Sequence, residues 1–252
     1  SVVQKGLLKR WVEEGAKVEP HWSFVPPAKG ASGTCIDDFI RAELPRHGLK
    51  GSPRAEPGAL VRRVALDLTG LPPTPQEQLR FAAAGSHAAM VDYFLAQPAF
   101  GEHMAVGWMD AARYADTNGY QVDRDRELWP WRDWVIRAYN ESKPFDQFTI
   151  EQLAGDLLPN PLESQVVATG FNRNHRLNGE GGLIAEEWRI ETIIDRLETT
   201  GSAWLGLTFN CCRCHDHKYD PITQKEFYQL FSYFNSNDEN GVLDDFGGAG
   251  VT

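Results

Sequence analysis

Five residues constrain this chain most: Cys211-Cys212-Arg213-Cys214-His215, inside the stretch TFNCCRCHDHKYDPITQKEFYQLFSYF. They satisfy C-x-x-C-H, the attachment pattern for c-type haem. Two thiols three residues apart can each add across one porphyrin vinyl group, and the next residue, His215, then stands under the iron as proximal ligand. Whatever the chain folds into must therefore present Cys211 and Cys214 together and leave room beside them. Three other readings use the same residues: a Cys211–Cys214 disulfide, a zinc site of Cys211, Cys214, His215 and His217, or a reduced buried loop. A four-cysteine zinc site needs a second C-x-x-C pair, which the sequence lacks. Cys35 and Cys212 are left over, to pair or stay free.

Around this motif the pattern is helix after helix. With 252 residues, 42% of them hydrophobic, the chain can bury a substantial core. Val3, Leu7, Leu8, Trp11 and Val12 mark a helical stripe over 2–14. An extended arm follows, His21-Trp22-Ser23-Phe24-Val25-Pro26-Pro27, and then a Gly/Ser turn through Gly33. Helical spacing predicts elements over 36–44, 59–68, 86–97, 100–114, 131–139, 148–153 and 164–169, with the longest over 185–204. Thr74-Pro75-Gln76-Glu77 and Thr223-Gln224-Lys225-Glu226 are capping boxes, the second opening a helix with Phe227, Leu230, Phe231 and Phe234 on one face. There is no alternating strand pattern, and the one low-complexity stretch is the glycine-rich tail after Asp244. The expectation is a mainly α fold: a single multi-helical domain with an extended N-terminal arm and long loops. Residues 1–34 read as helix and arm, the tail of a preceding domain, and 35–252 as the helical domain carrying the motif. The opening SVVQKGLLKRWVEEGA starts inside a helix, which points to a piece of a longer polypeptide. The net charge of −10 argues against nucleic acid or an anionic membrane as partner, and no apolar run is long enough to span a bilayer.

The segments RRVALDLTGLPPTP, GWMDAARYADTNGY, WPWRDWVIRAYN, PFDQFTIEQLAGDLLP, TGFNRNHRLNGEGG and CCRCHDHKYDPITQKEFYQLF, in this order between His21 and Asn235, resemble the planctomycete cytochrome C second domain. That is a domain-of-unknown-function family of secreted bacterial proteins. The resemblance implies a helical cytochrome-like domain, an extracytoplasmic location (periplasmic, secreted or at the cell surface), and neighbouring domains on the same polypeptide. It implies no settled reaction, and its name rests largely on the same C-x-x-C-H pattern.

Other residues are candidates for the site. If haem c is bound, its second axial ligand cannot be His217. The two alpha carbons of an axial pair lie roughly 12 Å apart, and two residues of chain reach about 7 Å. His21, His47 and His87 read as surface residues. His175 in Arg173-Asn174-His175-Arg176 precedes a glycine-rich loop, with Arg173 and Arg176 placed to meet propionates; His103 and Met104 are the alternatives, and an open position is a further one. Asp110, Arg113, Tyr114 and Asp116 share a helical face, either as a polar site with Arg113 on a propionate or as an ion-pair network fixing helix register. Asp116-Thr117-Asn118-Gly119, with Asp123 and Asp125, offers oxygens to calcium, or simply forms a turn held by its own side chains. Glu180, Glu186, Glu187 and Glu191 surround a glycine-rich turn; the first helical turn explains Glu186 and Glu187, while a carboxylate pair suits acid–base work on a glycan. Trp129, Trp131 and Trp134 are core residues or a sugar-stacking surface. The leading expectation is an electron-transfer module with one covalent haem c, working with redox domains or cytochromes of the same or a neighbouring polypeptide. The alternatives are a carbohydrate-active or other extracytoplasmic enzyme with a glycan partner, and a structural domain stapled by a disulfide or metal.

Overall fold

The computed structural model describes residues 1–28, 35–121 and 123–237. The Gly/Ser turn ending at Gly33 and the tail after Asp244 lie outside the described residues. The fold is mainly α, as the sequence pattern requires: the described residues hold eleven α-helices, short 3-10 turns and no strand, with one isolated bridge between Thr117 and Asp125. No helix among them is long and apolar enough to cross a membrane. Packing divides the chain into two compact units, Ser1–Arg54 and Ala55–Thr252.

In the first unit, α1 (Val2–Glu13) starts at a capping box between Ser1 and Gln4, and α2 (Ile36–Glu43) follows the arm. The arm contains a 3-10 turn, Trp22–Phe24, capped by the His21 ring. None of this unit's described residues is buried, so the expected α1 stripe forms and stays in solvent.

Among the described residues, all the buried ones belong to the second unit. Helices α3 (Pro57–Thr69), α4 (Pro75–Ala84) and α5 (His87–Leu95) enclose Val61, Ala65, Phe81, Met90 and Phe94. Both halves of the expected capping box form at α4: Thr74 Oγ1 accepts from the Glu77 N–H at 3.3 Å, and Glu77 accepts from the Thr74 N–H at 2.7 Å. Helices α6 (Pro98–Ala111), α7 (Trp129–Asn140), α8 (Phe145–Ala154) and α9 (Glu163–Ala168) build an aromatic core. Its centre is Trp131, 1% exposed, with Trp134, Phe148 and Phe171. Trp108 lies 4.2 Å from Trp204 and edge-on to Phe148 at 5.1 Å, the offsets aromatic quadrupoles favour. The Trp108 Nε1–H donates to the buried Gln152 at 2.9 Å, while the buried Nε1–H groups of Trp131 and Trp204 have no hydrogen-bond partner. Helix α6 starts two residues before the apolar stripe because Pro98 takes the first helical position. It ends at Ala111, three residues short of the expected Tyr114, because Arg113 turns left-handed at φ 60°.

Helix α10 (Ala185–Thr200) continues as a π turn over Gly201–Leu205, which together fill the longest predicted segment. Gly206 at φ 64° then reverses the chain, a conformation that costs glycine little. A side chain at Gly201 would strike the Phe209 ring 2.3 Å away, so this glycine lets the returning chain lie against the π turn. That return leads into the 3-10 turn Asn210–Arg213 and, after a loop, α11 (Gln224–Phe234). Ile194, Leu197, Phe209, Cys212, Ile222 and Phe227 form the core beneath this region.

Candidate functional site: the C-x-x-C-H turn and its polar cleft

The motif sits on the 3-10 turn, and this accounts for its geometry. Cys211 lies on the 3-10 turn and Cys214 at its C-cap, and both are exposed. Cys212, between them, points inward and is 0% exposed. Its thiol donates to the Ile222 carbonyl at 3.5 Å, and burial pushes its pKa up. All four cysteines are free.

His215 is exposed, and its Nδ1 is 2.7 Å from the Asp216 carbonyl. A carbonyl only accepts, so Nδ1 carries the proton and Nε2 keeps its lone pair, the tautomer a metal-bound histidine adopts. His217 serves the loop: its Nδ1 accepts from the backbone N–H groups of Asp220 at 2.8 Å and Tyr219 at 3.3 Å. Because that nitrogen accepts, the 3.4 Å approach of Asp220 Oδ2 to it is not a hydrogen bond in this tautomer. The Asp216 carboxylate accepts from the Gln224 N–H at 2.8 Å, at the start of α11. Gln224 and Tyr228 both donate to the Arg213 carbonyl, at 3.2 and 3.0 Å. The loop after the motif is therefore held by Asp216 and His217, while the Tyr219 side chain is 80% exposed and lies against Lys218. Among the described residues no three of His, Cys, Asp and Glu gather as a metal-binding group, the Cys211, Cys214, His215 and His217 set included.

The remaining candidates lie elsewhere. His175 is 2% exposed, with Nδ1 donating to the Arg176 carbonyl at 3.0 Å and Nε2 accepting from Arg196 at 3.1 Å. Both ring nitrogens are thus engaged inside the protein. The Arg176 guanidinium lies over the rings of Tyr120 and Trp188, 5.0 and 5.4 Å from their centres. The Arg173 carbonyl accepts from Arg126. Arg113 makes a bidentate pair with Asp195 at 2.5 and 2.7 Å and also donates to Thr199, which ties the end of α6 to α10. The expected helical face of Asp110, Arg113, Tyr114 and Asp116 does not form, because α6 ends at Ala111, and Arg113 pairs across with Asp195. His103 packs with its ring against Gly70, and Met104 is partly buried on α6.

Neighbouring polar residues divide in the same way. The Asp123 carboxylate accepts from the Gly119 N–H at 2.6 Å, and the buried Asn118 clamps Leu177 through both its N–H and carbonyl. Of the candidate calcium oxygens, the Asp123 carboxylate is engaged in its own turn and the Asn118 Oδ1 is engaged by the distant Leu177 N–H. The Tyr114 hydroxyl donates to Asp116 at 2.6 Å, and burial together with that carboxylate pushes its pKa up to about 12. Glu186 is held below the usual carboxylate range by Arg189 beside it. Trp131 and Trp134 are core residues, and Trp129 is exposed.

Glu191 alone of the four expected carboxylates lines a polar cleft of about 160 Å³ between α10 and the 3-10 turn of the motif. Trp188, Glu191, Asp195 and Glu198 project into it from α10, and Asn210 and Arg213 from the motif side. Arg213 and Glu191 make a bidentate pair at 2.5 and 3.1 Å, so a residue of the motif is fixed from the cleft. Burial, followed by the charge of Asp195, raises the pKa of Glu198. Asp195, Glu198 and Trp188 escaped the sequence reading, although with Glu191 they stand three or four apart along one helix, a signal that was there to use.

Fold and site together define a helical domain that turns a C-x-x-C-H motif outward on a 3-10 turn. The chain belongs to the PSCyt2 family, a protein of unknown function (DUF1549), whose model matches residues 35–239. No curated protein and no solved structure matches the chain.

Proposed function

We propose that Cys211 and Cys214 carry one covalent haem c with His215 as its proximal ligand, and that the domain transfers electrons within a larger extracytoplasmic protein. The observation that carries this reading is the opposite disposition of the three cysteines. Two cysteines at the attachment spacing are exposed, and the third is spent in the core. The donor set fits the group: both thiols are accessible, and His215 has Nδ1 tied back and Nε2 free to ligate. Haem bound there supplies reversible one-electron chemistry. The chain's own contribution is to hold His215 in one tautomer through Asp216 and to anchor the turn through Arg213 and α11. Other redox domains of the same or a neighbouring polypeptide are the expected partners. His175 is a ligand only if Arg196 yields its bond, so a His175→Ala variant with an unchanged low-spin spectrum removes it and leaves His103, Met104 or an open position. Production in a host with c-type maturation tests the whole reading: covalently retained haem, lost in Cys211→Ser and Cys214→Ser, is expected. A haem-free product in that host would refute it.

A further inference from the structure

The backbone of the motif brings its two outer cysteines together before any ligand arrives. The Cys214 N–H donates to the Cys211 carbonyl at 3.2 Å, and the His215 N–H donates to the same carbonyl at 3.3 Å. A turn closed in this way keeps the Cys211 and Cys214 alpha carbons within about 7 Å, close enough for both sulfurs to meet at one atom. Both thiols are free and exposed. The turn is also anchored from outside itself. Glu191 holds the Arg213 side chain, and Gln224 and Tyr228 donate to the Arg213 carbonyl.

Two thiols select among ions by number and by softness. Structural zinc takes four protein ligands, and catalytic zinc takes three. Among the described residues no three of His, Cys, Asp and Glu gather in that way. The neighbours do not extend the pair. His217 spends Nδ1 on the backbone N–H groups of Tyr219 and Asp220, and Cys212 is buried with its thiol on the Ile222 carbonyl. Calcium and magnesium want shells of oxygen, which two sulfurs do not offer. A soft, closed-shell monovalent ion is satisfied by two thiolates alone, and thiolates favour Cu(I). We propose that, in the chain without haem, Cys211 and Cys214 bind one Cu(I) ion as a two-coordinate bis-thiolate. Each thiol gives its proton to solvent and forms one copper–sulfur bond, so the complex carries one negative charge. Copper stays Cu(I), and nothing is oxidised or reduced. The site shares its two cysteines with the haem reading but does not rest on it.

The test is anaerobic competition for Cu(I) between the chelator bicinchoninate and the full chain, reduced and made in a host without c-type maturation. The chain is expected to withdraw one Cu(I) from the chelator, with two sulfur neighbours seen by X-ray absorption. Affinity should fall by about a hundredfold or more in Cys211→Ser and in Cys214→Ser, since losing even an outer-shell partner of a metal costs up to that much. It should be retained in His215→Ala, the change that removes the proximal ligand of the haem reading, so the two readings fail separately. Cu(I) left on the chelator, affinity unchanged in both serine variants, or an equal loss in His215→Ala would overturn the proposal.

Discussion

The aromatic core around Trp131 and the motif region around Cys212 use polar groups in opposite ways. In the core, Trp108 donates to Gln152, and Gly101 donates its N–H to Asn140. Hydrogen bonds there satisfy Trp108 and Gly101 but not the buried Nε1–H groups of Trp131 and Trp204, and the packing of large rings does the holding. In the motif region the hydrogen bonds orient groups that remain exposed: Asp216 sets the His215 tautomer, and Glu191 fixes Arg213. The apolar part beneath is small, and Leu197, Cys212 and Phe227 are its fully buried members. A region that invests its polar contacts in orientation is the one built to meet a ligand.

That contrast can be broken most forcefully at its centre. Truncating Trp131→Ala should cost about 3–5 kcal/mol, the range for emptying a buried aromatic site, measured by denaturant unfolding. A loss near zero would mean that the rings are not the scaffold. Next comes the division among the cysteines. Cys212→Ser places a hydroxyl in the apolar core and should cost about 1–3 kcal/mol. Cys211→Ser and Cys214→Ser in haem-free protein should stay within about 0.5 kcal/mol, as exposed substitutions do. Equal losses at all three would erase the distinction on which the site rests.

A smaller effect should appear at Glu198, whose pKa is raised above its ordinary 4.5 by burial and by Asp195. Between 4.5 and the raised value the unfolded chain gives up its proton first, so stability falls as pH rises through that window. Glu198→Gln should flatten that slope and leave the protein more stable at neutral pH, by thermal melting at several pH values. A slope unchanged in the variant would mean that Glu198 is not desolvated. The smallest effect is spectroscopic: the Tyr114 phenol, pushed up to about 12, should ionise last in an ultraviolet titration. Tyr114→Phe should remove that late step, and a late step surviving the substitution would belong to another tyrosine.

Much of the scaffold was legible because helices announce themselves locally. Thr74 and Thr223 marked their capping boxes, and the spacing of Phe227, Leu230 and Phe231 marked the α11 face. Helix ends were less so: Pro98 and Pro75 start helices, but only the turn at Arg113 shows why α6 stops early. The first unit's stripe was visible, yet its exposure was not, since periodicity tells which residues share a face and not what covers it. For the site, C-x-x-C-H named its own residues, but the inward turn of Cys212 depends on the 3-10 geometry. His175 looked available because it precedes a glycine-rich loop, whereas Arg196, 21 residues on, engages its Nε2. Such a bond across the fold leaves no local trace.

Intact mass spectrometry of denatured protein, made where c-type maturation operates, tests the central claim most directly. One haem added covalently to the polypeptide is the expected result, with the increment absent when either Cys211 or Cys214 is serine. A mass equal to the bare polypeptide, with both thiols open to alkylation, would contradict it.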